Sequence, residues 1–193
     1  MAIGKLIVVT GPAAVGKSTV MNALQKELTR GDALWLAIEL DVFARSLPRP
    51  WIAWGEYRGR NAAQGFVYAR RADGSLQLEL GTDGRRVLSA FHRSVAAVVN
   101  SGVNVVCEAI VYDDADWDDW YEVLRGFRCC WVKLSAPPAV LDQREQQRAA
   151  PAQGLGRGMA ARPAVGRYDV EADTAAETSA AIVGRIIRSL QSA

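Results

Sequence analysis

The sequence has 193 residues, of which 50% are hydrophobic and 23% are charged. This composition is typical of one globular domain spanning residues 1–193 and excludes a disordered chain. Lysine and arginine exceed aspartate and glutamate by 23 − 21 = 2, a balance too even to predict binding to nucleic acid or to a membrane surface. We find neither a secretory signal pattern nor an apolar run that approaches a membrane span, so we expect a cytoplasmic protein.

Hydrophobic periodicity predicts strands and helices in alternation. In chain order the predicted elements are a strand at 6–10, a helix at 17–30, strands at 34–40, 66–69 and 76–80, a helix at 85–100, a strand at 103–107, a helix at 117–126, a strand at 129–134, a helix at 140–148, a strand at 169–172 and a helix at 175–190. Strands that alternate with helices form a parallel sheet with helices on both faces. We therefore predict an α/β fold of three layers with about five parallel strands.

Two regions interrupt this alternation. The runs 66–69 and 76–80 flank Asp73-Gly74, a pair that favours a tight turn. They predict a hairpin within a small insert at 49–84. The stretch 149–167 contains glycines and arginines but no clear periodicity.

The phosphate-loop pattern GxxxxGK[ST] is matched by Gly11, Pro12, Ala13, Ala14, Val15, Gly16, Lys17 and Ser18, followed by Thr19. Chance would supply the pattern in roughly one chain in 400 of this composition, and here it directly follows a predicted strand and precedes a predicted helix. Backbone N–H groups of such a loop bind the phosphates of ATP, the lysine bridges the β- and γ-phosphates, and the serine hydroxyl binds Mg²⁺. The alternative is a glycine-rich turn with a solvated lysine, which this placement disfavours. We predict a P-loop NTPase or nucleotide-kinase-like fold.

Carboxylates follow two of the predicted strands. Asp41 comes after the strand at 34–40, and Glu108 after the strand at 103–107. Ligands of open parallel sheets bind outside the carboxyl ends of the strands. Asp41 fits a general base for an acceptor hydroxyl and fits equally well the N-cap of a helix beginning at Val42. Glu108 is a candidate for the magnesium shell, for acceptor binding, or for an ion pair at the sheet edge.

Several other polar residues are not expected to belong to a catalytic or metal site. The acidic run Asp113, Asp114, Asp116, Asp118 and Asp119 lacks the spacing of a calcium loop and predicts a solvated loop and first helical turn. His92 lies in a helical apolar pattern and is expected at the core edge or the surface. Cys107, Cys129 and Cys130 lie in apolar runs, which predicts reduced thiols in the core.

Arginines in the second half of the sequence predict a lid over the phosphates. Arg144 and Arg148 are four residues apart and share one helix face. Arg157 follows in the glycine-rich segment 154–158 and is also a candidate for acceptor binding. Arginines that close over a transferring phosphoryl group stabilise its charge. Because arginine is frequent in this chain, each of them can also be a solvated residue. The predicted lid spans 144–167.

Taken together, these motifs resemble the chloramphenicol phosphotransferases, small P-loop kinases that phosphorylate a hydroxyl of an antibiotic. The resemblance rests on the phosphate loop and its strand, Trp35-Leu36-Ala37 through Asp41 to Leu47-Pro48, the strand from Val103 to Glu108, Trp131-Val132, Arg144-Glu145 with Arg148, Gly158-Met159-Ala160, and Tyr168-Asp169-Val170-Glu171 with Asp173-Thr174. Residues 49–65 depart from the family pattern, so the resemblance does not carry chloramphenicol over as the substrate.

The resemblance implies roles for particular residues. It implies that Asp41 is the general base, that Arg144 and Arg148 belong to a lid over the triphosphate, and that Asp173 and Thr174 border the adenine. It also implies that the insert covers the acceptor. The insert aromatics Trp51, Trp54 and Tyr57 then either line the acceptor pocket or form a small core beneath the hairpin.

The leading hypothesis is an ATP- and magnesium-dependent kinase that phosphorylates a hydroxyl of an antibiotic-like molecule or secondary metabolite. One alternative is a metabolic kinase of the gluconate, shikimate or adenylylsulfate type, which usually presents more basic residues to an anionic acceptor. A second is a regulatory P-loop NTPase, although the sequence has no NKxD tetrad for guanine recognition. A nucleic-acid kinase is disfavoured by the even charge balance.

Overall fold

The computed structural model describes residues 3–148, 153–163 and 165–192. In chain order its elements are β1 (Leu6–Thr10), α1 (Lys17–Leu28), β2 (Trp35–Glu39), α2 (Leu40–Arg45), β3 (Ile52–Trp54), β4 (Tyr57–Arg58), β5 (Phe66–Arg70), β6 (Leu76–Leu80), α3 (Thr82–Asn100), β7 (Asn104–Glu108), α4 (Asp114–Val123), β8 (Cys129–Ser135), α5 (Pro138–Gln147), α6 (Leu155–Ala160), β9 (Val170–Asp173) and α7 (Ser179–Ser192). Among these helices, none combines the length and hydrophobicity needed to cross a membrane.

The central sheet has five strands in the order β2-β7-β1-β8-β9, and every pairing is parallel. Side chains alternate between the two faces of a strand. Ile7 and Val9 of β1 pack in a core with α1 and α7, whereas Leu6 and Val8 pack on the opposite face with α3 and α4. Both faces are therefore covered by helices, as the sequence predicts.

A second sheet lies in the insert, with strands in the order β4-β3-β5-β6. The predicted hairpin is confirmed as β5 and β6, which pair antiparallel from Phe66↔Leu80 to Arg70↔Leu76. Strands β3 and β4 come from the aromatic stretch and escape prediction. They have three and two residues, too few to show a periodic pattern.

The C-terminal region contains a helix that periodicity does not reveal. Helix α6 carries Gly156 and Gly158 and follows Gly154, and glycine has a low helix propensity. Its glycines allow the helix backbone to pack directly on β6, where a Cβ on Gly158 would lie 1.9 Å from the Leu76 carbonyl oxygen. The predicted lid at 144–167 thus includes a short helix, while its residues 149–152 and 164 lie outside the described ranges.

Two helices begin at residues other than those predicted, because hydrogen bonds of aspartate side chains set the structure before their first turns. Helix α4 begins at Asp114 rather than 117, because the Asp113 carboxylate caps it by accepting from the Asp116 N–H at 3.0 Å. Helix α7 begins at Ser179 rather than 175, after a turn in which the Asp173 carboxylate accepts from the Ala175 N–H at 2.8 Å.

Candidate functional site

The phosphate loop joins the carboxyl end of β1 to the N-terminus of α1. Gly16 (φ 103°) stands at the N-cap position, and Ala14 (φ 59°) also has a left-handed backbone. This conformation is uncommon for a residue with a side chain and is concentrated at functional sites. Backbone of this kind, with the free N–H groups of a helix N-terminus, forms a concave array of donors. The loop therefore has the shape and polarity of an anion site.

Lys17 is the first residue of α1, directly after the loop, and is 8% exposed. Its Nζ donates hydrogen bonds to the carbonyl oxygens of Gly11 at 3.0 Å and Pro12 at 2.9 Å, and it lies 3.5 Å from Oε1 of Glu108. Burial lowers the pKa of Lys17, and the neighbouring Glu108 opposes that shift. Burial likewise raises the pKa of Glu108, against the effect of the lysine. The ammonium group is thus compensated by loop carbonyls and one carboxylate.

Three carboxylates meet at the ends of β2 and β7. Glu39 and Glu108 are register partners on these neighbouring strands, and Asp41 follows in the first turn of α2. The N-cap interpretation of Asp41 is wrong, because α2 begins at Leu40 and places Glu39 at the cap position. The Asp41 carboxylate instead accepts from Nη2 of Arg45 at 3.3 Å, and its side chain is 63% exposed.

These groups border a cavity of about 710 Å³, which we call the phosphate-loop cavity. The loop contributes Ala13, Ala14, Gly16, Lys17 and Ser18; the strand ends and α2 contribute Glu39, Asp41, Ala44, Arg45, Glu108 and Ile110; the insert contributes Ile52, Trp54, Tyr68 and Leu78; and the lid region contributes Arg148, Leu155 and Met159. Thr19 is exposed near the start of α1. The structure thus brings the predicted donor residues Lys17 and Ser18 together with Asp41, Glu108 and Arg148.

Arg144 does not line this cavity. It holds the phosphate loop in place through hydrogen bonds. Its guanidinium donates to the Val15 carbonyl oxygen at 3.1 Å and to the carbonyl and hydroxyl oxygens of Thr174 at 3.0 and 2.9 Å. The Thr174 hydroxyl also donates to the Val15 carbonyl at 2.7 Å. Asp173 holds the turn before α7. Arg144, Asp173 and Thr174 therefore form one group beside the loop, whereas Arg148 alone of the two helix arginines faces the cavity.

Three residues predicted for acceptor binding lie elsewhere. Trp51 donates from Nε1 to the Asp83 carboxylate at 2.8 Å and so ties the insert to α3. Tyr57 is 47% exposed on the short strand β4. Arg157 lies 3.7 Å from the Asp142 carboxylate, because Leu155 and Met159 occupy the cavity face of α6 and a residue midway between them points away. Of the predicted aromatics, only Trp54 lines the cavity.

Two residues that line the phosphate-loop cavity were not predicted, although the sequence contains a signal for each of them. Glu39 ends β2 and could have been found by the same strand-end rule that selected Asp41. Tyr68 is the hairpin partner of Leu78, and such partners share one face of a sheet. Burial raises the pKa of Tyr68 to about 12, and the Asp41 carboxylate adds to the shift. The Tyr68 ring also packs edge-on against Trp54, with centroids 4.3 Å apart.

The acidic run is more structured than the solvated segment predicted for it. Asp116 is 6% exposed and accepts from the Tyr112 N–H at 2.9 Å, and Asp119 lies 2.6 Å from Nδ1 of His92. His92 itself is 1% exposed between α3 and α4, which corrects its expected place at the core edge or surface. These residues stabilise the helix pair and lie outside the phosphate-loop cavity.

Known proteins of similar structure share the fold. The chain resembles APS kinase CysC from Mycobacterium tuberculosis, solved in complex with AMPPNP and APS, at a TM-score of 0.70 and 16% identity over 99% of both chains. It also resembles a gluconokinase from Sinorhizobium meliloti (TM-score 0.60, 19% identity, 100% of this chain and 94% of that one). A third similar structure is the tunicamycin resistance protein of Deinococcus radiodurans (TM-score 0.56, 14% identity, 97% and 96%). They confirm the predicted P-loop kinase fold.

Sequence comparison identifies the family. No curated protein sequence matches the chain. A sequence profile described as chloramphenicol phosphotransferase-like protein, however, matches residues 4–191. That match spans nearly the whole chain, including the phosphate loop, both carboxylate-bearing strand ends and the lid region. The protein therefore belongs to the chloramphenicol phosphotransferase-like family of P-loop phosphotransferases.

Proposed function

We propose that this protein is an ATP- and Mg²⁺-dependent kinase that transfers the γ-phosphate to a hydroxyl of a small antibiotic-like molecule or secondary metabolite. The observation that carries the proposal is that Lys17 and Asp41 border the same cavity of about 710 Å³. A phosphate-binding cation and a solvent-accessible carboxylate thus face one space. This arrangement supports in-line transfer between a nucleotide and an alcohol.

The donor half of the site is the phosphate loop. In our proposal the loop N–H groups bind the triphosphate, and Lys17 exchanges its carbonyl partners for oxygens of the β- and γ-phosphates. Arg148, on the same cavity wall, stabilises the charge that develops on the transferred group. Mg²⁺ usually takes only one or two protein ligands, so the Ser18 hydroxyl and the Glu108 carboxylate are a sufficient donor set. When bound, the ion neutralises phosphate charge.

The acceptor half centres on Asp41. A general base must reach the hydroxyl that it activates, and the exposed Asp41 carboxylate can do so. Glu108 is less suited, because its carboxylate already pairs with the Lys17 ammonium at 3.5 Å. We therefore assign proton acceptance to Asp41 and a supporting place beside Lys17 and the metal to Glu108.

The charge of the cavity favours an acceptor without anionic groups. Its lining contains the carboxylates Glu39, Asp41 and Glu108. Its lining cations are Lys17 and Arg148, which we assign to phosphate, and Arg45, which pairs with Asp41 at 3.3 Å. Arg45 and Lys17 pair with carboxylates and Arg148 is assigned to phosphate in our proposal, so no cation among the described lining residues is left to bind an acid such as gluconate or a sulfonucleotide. This argues for a neutral or cationic hydroxylated acceptor over the metabolic-kinase alternative.

The test is to incubate the protein with ATP, Mg²⁺ and a panel of hydroxylated antibiotics and metabolites, including gluconate, and to look by mass spectrometry for a gain of one phosphoryl group. Asp41→Asn should lower turnover of any acceptor found by about 10² to 10⁴-fold and leave AMPPNP affinity unchanged. Asp114→Asn is the matched control, because Asp114 is an exposed acid in the first turn of α4. Full turnover by Asp41→Asn would refute the assignment of the base.

A further inference from the structure

A second cavity, of about 520 Å³, lies away from the phosphate loop, and we call it the indole cavity. Four of its lining residues are aromatic, two are aspartates, one is a cysteine and one is an arginine: Trp117, Tyr121, Trp131, Tyr168, Asp118, Asp169, Cys129 and Arg167. Sites for small molecules have volumes of about 300–1,000 Å³ and aromatic linings with a few polar groups. The indole cavity has both properties.

The indole cavity lies near the amino ends of the last two strands of the central sheet. Cys129 and Trp131 are the first and third residues of β8, and Asp169 directly precedes β9. The phosphate loop instead follows the carboxyl end of β1, which runs parallel to β8. Among the described residues, none lines both the indole cavity and the phosphate-loop cavity. A small ligand of the indole cavity therefore occupies a site separate from the one in front of Asp41.

Aromatic rings form the walls of the indole cavity and hold one another in place. The Trp117 ring packs against Trp131 and Tyr168, with centroids 4.6 and 5.9 Å away and interplanar angles of 53° and 56°. The backbone of Gly166 also approaches Trp117, where an added Cβ would lie 2.4 Å from the ring. Tyr121 adds a fourth ring that is 63% exposed. Because the rings are inclined, they do not cover each other as a parallel stack would, and the walls present π surface.

The polar lining gives the indole cavity a net negative charge. It contains one guanidinium, Arg167, and two carboxylates, Asp118 and Asp169, which gives 1 − 2 = −1. Oδ2 of Asp169 accepts from the Trp131 N–H at 2.7 Å, which fixes this carboxylate beside the ring. In the part of the chain that the structure describes, no side chain forms an ion pair or a hydrogen bond with the Asp118 carboxylate. A negative charge without a partner thus lies beside the aromatic walls.

We propose that the indole cavity binds a small organic cation, that is, a quaternary or protonated amine. Indole is the aromatic side chain that attracts cations most strongly, and the Asp118 carboxylate supplies the opposite charge. A neutral molecule of the same shape would gain only from the burial of its apolar surface. An anion would be repelled by the two carboxylates. The proposal does not depend on phosphoryl transfer, because the site lies apart from Lys17 and Asp41.

Acetylcholine and 3,3-dimethylbutyl acetate are suitable probes, because they have the same shape, differ in charge and carry no hydroxyl to be phosphorylated. The chain has six tryptophans, whose indole N–H resonances can be observed by ¹⁵N labelling and assigned by single substitutions. Acetylcholine should shift the resonances of Trp117 and Trp131 saturably and leave Trp54, which lines the phosphate-loop cavity, unmoved. The neutral ester should bind about fivefold or more weakly.

Two substitutions test the sign of the charge. Asp118→Asn should weaken acetylcholine binding about two- to fivefold, whereas Arg167→Gln removes the lining cation and should strengthen it by a similar factor. Asp32→Asn is the matched control, because Asp32 is exposed and precedes β2, at the opposite edge of the central sheet. It should leave acetylcholine affinity unchanged. All three variants should bind the neutral ester and AMPPNP like the wild type.

Several results would overturn the proposal. Equal binding of the two probes would show that charge is not recognised, and so would an acetylcholine affinity that is the same in the wild type, Asp118→Asn and Arg167→Gln. A shift of Trp54 without shifts of Trp117 and Trp131 would place the cation in the phosphate-loop cavity instead. If Asp118→Asn fails to fold, Arg167→Gln still decides the question, because weaker or unchanged binding in that variant contradicts the proposal.

Discussion

At the scale of single residues, the Val15 carbonyl shows how the phosphate loop is held. It accepts hydrogen bonds from Arg144 at 3.1 Å and from the Thr174 hydroxyl at 2.7 Å. A guanidinium presents several donors in one rigid plane, which allows Arg144 to join the loop to the turn before α7. The hydrogen bonds of the Arg144 guanidinium lie along its edges, so its two planar faces are left for stacking. We expect a nucleotide base to stack on one of these faces.

Replacing this arginine tests the anchoring role. Arg144→Lys keeps the charge but cannot bridge Val15 and Thr174 in the same geometry. We expect the free energy of unfolding to fall by about 1–3 kcal/mol and AMPPNP affinity to decrease, because the loop loses its support. Urea unfolding and nucleotide titration measure the two effects.

Arg30→Lys is the matched control for this substitution. Arg30 is exposed, and within the part of the chain that the structure describes its one ion pair is with Glu27 at the surface. Its replacement should therefore change stability by less than about 0.5 kcal/mol. If Arg144→Lys proves as mild as Arg30→Lys, the anchoring role is wrong.

At the scale of elements, α6 connects the two halves of the site. The Glu145 carboxylate of α5 is 3% exposed and accepts from the N–H groups of Gly154 at 2.6 Å and Gly156 at 2.7 Å. On the other side, the Leu76 N–H of β6 donates to the Gly154 carbonyl at 3.0 Å. A negative charge at a helix N-terminus is stabilising. The helix that carries Met159 is thus fixed between the arginine-bearing α5 and the insert.

Close packing of α6 on β6 predicts that a single methyl group is harmful there. Gly158→Ala places a Cβ 1.9 Å from the Leu76 carbonyl oxygen, so the helix must move. We expect a loss of about 1–3 kcal/mol in the free energy of unfolding. Gly184→Ala, on α7, meets only Arg188 Nη1 at 3.5 Å and should be neutral or stabilise by up to about 1 kcal/mol. Thermal unfolding of both variants checks the contrast, and equal melting temperatures would contradict the packing described for α6.

The long elements could be predicted from sequence, whereas α6, β3 and β4 could not. Helix α3 repeats its apolar residues over 19 positions, and such periodicity is a strong local signal. In α6 the local signal is opposed by glycine, and the helix exists because Glu145 and β6 hold it. Tertiary contacts decide these elements, and a single sequence does not display them.

At the scale of the whole molecule, topology explains which site residues could be predicted. The parallel sheet brings all strand ends to one edge, so Asp41 and Glu108 could be placed near the phosphate loop from sequence alone. The insert follows no such rule. Trp54 reaches the cavity while Trp51 and Tyr57 do not, because Trp54 lies on β3, Tyr57 on β4 and Trp51 on a 3-10 turn before β3, none of which periodicity reveals. Glu39, at the end of β2, was within reach of the same rule and was missed.

Global stability should also depend on the buried contact between α3 and α4. His92 stacks on Trp120 with ring centroids 3.9 Å apart, and its two nitrogens face Asp119 at 2.6 Å and Asp116 at 3.4 Å. Burial lowers the pKa of His92 to about 4, and the bond to Asp119 and the nearby Arg93 modify the shift in opposite directions. Burial raises the pKa of Asp116 to about 6.

These shifts predict a pH dependence with a defined sign. Between pH 6.5 and 4 the unfolded chain protonates His92 while the folded protein does not, so this residue makes the free energy of unfolding fall as pH falls. Asp116 acts oppositely below pH 6, because its folded form binds the extra proton. His92→Gln retains Asp116, so comparison with the wild type isolates the histidine. The stability advantage of the wild type over His92→Gln, measured by urea unfolding, should shrink by up to about 3 kcal/mol from pH 7 to pH 4. An advantage that does not change with pH would show that the pKa of His92 is the same in the folded and the unfolded protein, which would contradict the prediction.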